Sequence, residues 1–236
     1  MVDALLATAL VAALAGSPAA SPSPAASPSA APLREIGHVH ATSTFCKTAL
    51  ETADAGIAIA LRNDERIETA ETTLRHTDYD SSDLAKSNGV IALTRQYVAL
   101  RAEAVRGSGF LKSLKTQAEQ APTEEQKHNL LAFADALDGA LGRQRKLADA
   151  IGRLAVILDN HPAIDSNQYA ELEIAALYQN NIAGAYHDPE GPLHALPPTL
   201  GRIAIDSADE LHTRAEPVAE DESKAADLIE PAFAGC

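Results

Sequence analysis

Apolar and small residues recur along this chain at steps of three and four. From Cys46 they fall at Leu50, Ala53, Ile57, Ala60, Ile67 and Leu74. That spacing keeps one face of an α-helix apolar. Ser43 or Thr44 can cap the start, because a hydroxyl accepts a bond from an amide that has no helical partner. The pattern fades near His76, predicting a helix of about 30 residues, or ~45 Å at the helical rise. Asp64 and Glu71 interrupt the seam, so its distal half is expected to be more open to solvent or a partner. Glu71 can pair with Arg75 one turn on.

A second seam runs through Val90, Leu93, Tyr97, Leu100, Ala104, Gly107, Leu111, Leu114 and Ala118. It is the most regular heptad in the chain. Asp80, Ser81 or Ser82 can cap it, and Pro122 ends it. Gly107 and Gly109 each weaken a helix by about 1 kcal/mol relative to alanine, unless another helix crosses closely there. Thr123 and Gln126 then form a capping box. They open a third helix with the seam Leu130, Ala134, Leu137, Leu141, Gln144, Ala148, Ile151, Ala155 and Leu158. A second apolar edge (Leu131, Phe133, Leu147, Leu154, Ile157) predicts burial over a wider arc, and Gly139, Gly142 and Gly152 predict tight contacts. The Pro-Thr corner makes helices 2 and 3 an antiparallel hairpin.

Asn160-His161-Pro162 closes that hairpin. A short helix is expected from about Ser166 to Tyr178. Pro189, Pro192, Pro197 and Pro198 prohibit regular structure between Asn180 and Pro198. A last helical stretch starts at Thr199, is bent or broken at Pro217, and resumes from Val218 to Ile229. The expected fold is all-α, an elongated up-down-up-down bundle of three to four long helices with a Pro-rich insertion before the last. Low aromatic content, 4% with no tryptophan, agrees with a core of Ala, Leu and Ile.

The N-terminal pattern concerns destination. Ala4 to Ala15 is an unbroken run of Ala, Leu, Val and Thr, and Ala13-Leu14-Ala15 has the small-x-small form of a signal-peptidase site. Residues 1–15 (or 1–19) are read as a signal peptide and 16–40 as a Ser/Pro/Ala-rich spacer. Residues 41–236 then form a single helical-bundle domain. Asp3 stands where a signal normally carries Lys or Arg. The run is shorter than the ~20 residues that cross a bilayer, so no stable span is expected after cleavage. The expected localisation is secreted or periplasmic.

Export changes the reading of the only two cysteines. Cys46 opens the first helix and Cys236 follows the last, and an up-down-up-down bundle brings those ends together. In an oxidising compartment the pair reads as a disulfide.

Net charge is −14, and it is concentrated: residues 159–236 carry 3 Lys/Arg against 15 Asp/Glu. Such a surface repels phosphate backbones, so nucleic acid and anionic membrane are poor partners.

His-Glu-x-x-His, the Gly-x-Ser-x-Gly elbow and the phosphate-binding glycine loops are absent. Asp78 to Asp83 opens like a calcium loop but has Asp83 and Gly89 where that loop needs Gly and Glu, so it reads as a helix-capping turn. Glu35-Ile36-Gly37-His38 is the one match to a diiron Glu-x-x-His and lies outside the core helices. His128 and His161 sit at helix ends, where histidine more often caps carbonyls or meets water than ligates haem. The remaining lead is a proline-stiffened loop with His187, Asp188, Glu190 and His194, which have donor types that a divalent metal accepts. Tyr169, Tyr178 and Tyr186 could line a ligand site beside it.

The primary functional expectation is therefore an exported, non-enzymatic interaction or scaffold protein, acting on an unidentified protein or envelope component without a cofactor. The alternative is a periplasmic or extracellular protein that binds a metal or small ligand through the Tyr169–His194 region.

Overall fold

The computed structural model describes residues 33–34, 36, 41, 43–160 and 199–236. These form four long helices: α1 Thr44–His76, α2 Asp83–Ala118, α3 Glu124–Asn160 and α4 Leu200–Ala232. Among the described residues there is no strand. The fold is an all-α bundle.

Each helix begins where a side chain can replace a missing helical acceptor. Ser43 Oγ accepts from the Cys46 amide at 3.1 Å, and Ser82 Oγ from Ala85 at 3.2 Å. Thr123 and Thr199 do the same for α3 and α4. The α1–α2 turn also serves the last helix, because the Asp80 carboxylate accepts from the Gly201 amide at 3.1 Å.

Directions follow from the contacts at the ends. Lys86 near the start of α2 donates to the Asp159 carbonyl at the end of α3, 2.8 Å away. At the other end the sulfurs of Cys46 and Cys236 are bonded, with Cα atoms 5.3 Å apart. Neighbouring helices thus alternate in direction. Helix α3 touches all three others, whereas α2 and α4 occupy a diagonal and do not meet. Of the second apolar edge read on α3, Phe133 and Leu147 are buried in keeping with that central place, whereas Leu131 and Leu154 are partly buried and Ile157 is exposed.

Two apolar clusters fill the interior. One, around Ile57, Leu114, Leu130, Phe133 and Leu137, lies toward the disulfide. Phe133 and Phe233 meet there edge to face, with centroids 6.0 Å apart. Leu33 is also buried in this cluster, and the Ile36 amide donates to Asp54 at 2.8 Å. Packing therefore reaches into the stretch read as spacer. The other cluster gathers Leu74, Tyr79, Leu93, Leu100, Ile151 and Leu158 toward the α1–α2 turn.

Several local expectations need correction. Helix α4 runs unbroken through Pro217; the proline removes one amide donor, but packing on both sides of it keeps the helix continuous. The distal half of α1 is not open, because Ile67, Ala70 and Leu74 are all buried. A Cβ on Gly107 would meet Leu141 at 3.2 Å, so a helix does cross closely there. Nothing lies within 4 Å of a Cβ on Gly109 or Gly142, so these two glycines are not explained by helix crossing. The short helix expected at 166–178 and the Pro-rich insertion lie outside the described residues.

Candidate functional site

Between the two apolar clusters the interior turns polar. Asn63 of α1 and Gln144 of α3 are only 2% and 1% exposed. Asn63 Nδ2 donates to Gln144 Oε1 at 2.9 Å. Gln144 Nε2 faces three acceptors: the Ala60 carbonyl at 3.0 Å, Asp64 Oδ1 at 2.7 Å and Glu222 Oε1 at 2.9 Å. An amide nitrogen has two hydrogens, so three acceptors crowd two donors. A further proton relieves the crowding. Burial, then the charge of Asp64 and a hydrogen bond to it, push the Glu222 carboxyl up to about 9. Burial also raises Asp64, against the hydrogen bonds it accepts from Glu222 and Gln144. At neutral pH Glu222 is therefore the acid, and its O–H donates to Asp64.

This layer ties α1, α3 and α4 together, and its neighbours keep it electrically contained. Asp221 accepts from Arg143 at 2.6 Å and Lys224 at 3.2 Å. Burial works to raise that carboxyl, but the two cations hold it below its ordinary value. Buried Glu103 pairs with Arg62 and Arg106, each at 3.4 Å. The layer can hold and release a proton. Among the described residues no three His, Cys, Asp or Glu side chains gather as a metal would require.

The second feature is on the outside. Leu84, Ile91, Val98 and Val105 are 71%, 45%, 59% and 75% exposed. They step by seven residues along α2, on the side opposite the buried line Leu93, Leu100, Gly107 and Leu114, which also steps by seven. Helix α2 is thus apolar on two opposed faces, and the bundle uses one. The unused stripe spans ~32 Å at 1.5 Å per residue. Single exposed aliphatics are ordinary on protein surfaces, but these four share the seven-residue spacing of one core position of a helix pair.

The seven residues singled out in the proline-stiffened region (Tyr169, Tyr178, Tyr186, His187, Asp188, Glu190 and His194) lie outside the described residues. Of the helix-end histidines, His128 is exposed on α3. Among the described residues no helix is long and apolar enough to cross a membrane.

No protein-family model, curated protein or solved structure matches this chain.

Proposed function

We propose that this is an exported, non-enzymatic interaction protein that holds another protein along the outer face of α2. The observation that carries this reading is the exposed heptad line Leu84, Ile91, Val98 and Val105. Covering an aliphatic side chain contributes up to about 2 kcal/mol, so a four-residue line offers a useful association energy without new chemistry. A helix is the natural occupant, since knobs every seven residues fit holes with the same spacing. The disulfide and the secretory pattern agree with work outside the cytoplasm, where a bundle closed in this way keeps its shape.

Site-specific photo-crosslinking in the native host tests the reading. A photoreactive residue at position 98 or 105 is expected to give one discrete adduct, and the same residue at exposed Glu68 on α1 none. Equal crosslinking at all three positions would remove the special status of the α2 face.

A further inference from the structure

We infer that the occupant of the α2 face is an acidic amphipathic helix of a different protein, lying lengthwise on the Leu84–Val105 line. This rests on the reading of α2 as the docking face and adds the chemistry of the partner.

The whole chain carries −14, yet α2 has six Lys/Arg against two acids, Asp83 and Glu103. Of those acids, Glu103 is buried and already paired with Arg62 and Arg106, and Asp83 precedes the line. Arg95 and Arg101 flank the line on opposite sides, each three residues from Val98 and four from the next apolar member. Lys112 continues it one heptad beyond Val105. Arg101 reaches Asp149 at 3.2 Å, with both side chains a little under half exposed. Arg95 and Lys112 make no ion pair among the described residues. An apolar line with positive flanks and no outward acid along it is complementary to an apolar line with negative flanks.

Ala102 and Gly109 lie beside Val98 and Val105, and a Cβ on Gly109 would meet nothing within 4 Å. The bundle has no need of that glycine, which leaves room for a partner's larger side chain.

A second copy is a poor occupant. A parallel α2 would set Arg95, Arg101 and Lys112 against their own duplicates, and an antiparallel one would still join two helices that each carry six Lys/Arg against two acids. No other described helix offers a match, because the remaining large exposed apolar residues are Val156 and Ile157 on α3 and Ile205 on α4, with Phe110 on α2 itself. None of these forms a heptad line.

The test uses the full-length, disulfide-bonded protein and two synthetic helices of about four heptads, both with Leu along the seam. One carries Glu on its flanks, the other Lys. The acidic helix is expected to bind at least about tenfold more tightly, to weaken as salt rises, and to be lost in Val98→Gln/Val105→Gln. The charge-reversed Arg95→Glu/Lys112→Glu protein should prefer the Lys helix, a gain that misfolding cannot imitate. Equal or better binding of the Lys helix by the wild type would overturn the acidic partner. The position-98 crosslink would still decide separately whether α2 is the docking face. Binding of anionic vesicles, or dimerisation on sedimentation, that depends on Val98 and Val105 would overturn the inference in favour of a membrane or a second copy.

Discussion

Glu222 of α4 donates its carboxyl proton to Asp64 of α1, and Gln144 of α3 bonds both acids. The pairing gives stability a definite pH dependence. Glu222 ionises near 4.5 in an unfolded chain and near 9 here, so between those values the folded state holds a proton that the unfolded state has lost. Stability therefore falls as pH rises through that window. The raised Asp64 carboxyl acts in the same direction. The melting temperature should be higher at about pH 5.5 than at about pH 8.5. Glu222→Gln should flatten the slope by raising the value at the alkaline end. A wild-type profile that rises across that window would refute the shared proton.

Tyr79 is fully buried with its ring against Gly89, where an added Cβ would lie 2.6 Å from Cε1. Gly89→Ala should destabilise by about 1–3 kcal/mol through overpacking. Gly109→Ala, with open space around it, should stabilise by up to about 1 kcal/mol through helix propensity alone. Urea denaturation of the two variants should show opposite signs.

Asp80 ties the α1–α2 turn to the first turn of α4 by accepting from the Gly201 amide. Asp80→Ala should cost about 1 kcal/mol, the usual worth of a cap. Hydrogen exchange should show faster exchange at the start of α4 while the opposite end keeps its protection. Uniform loss along α4 would mean that Asp80 does more than cap.

The bond between Cys46 and Cys236 spans 190 residues, so by loop-closure entropy it contributes about 5 kcal/mol. Cys236→Ser should melt well below the wild type under oxidising conditions and match it once reductant is present. A difference that persists in reductant would assign the loss to packing around position 236, where Gln126 also approaches the sulfur.

Much of this architecture is readable locally. The seams of α1 and α3 predict buried residues that are buried, from Leu50 and Ile57 to Ile151 and Leu158. The cap at Thr123 is as read, and Ser43 and Ser82 are the ones that cap among the neighbouring candidates Thr44, Asp80 and Ser81. Pairing of the two cysteines followed from helix number and direction. The burial of Asp64 is not legible locally because its partners are remote: Gln144 and Glu222 stand 80 and 158 positions away, and no local pattern predicts that meeting. Pro217 was read by its intrinsic preference, which burial of Ala208, Leu211, Val218 and Ala225 overrides. The outer line of α2 had a signal in plain view, a second apolar heptad opposite the first. Looking for one face per helix conceals it, since a helix apolar on two sides has little net amphipathicity.

The disulfide gives the segment from 46 to 236 the topology of a ring. A single protease cut in the α1–α2 or α2–α3 turn would open that ring without dividing it, and both new ends would stay attached through Cys46 and Cys236. Such a nick would pass unseen on a gel run without reductant. Wherever a protease reaches the turns, surviving the first cut as one connected body is an advantage separate from resisting heat.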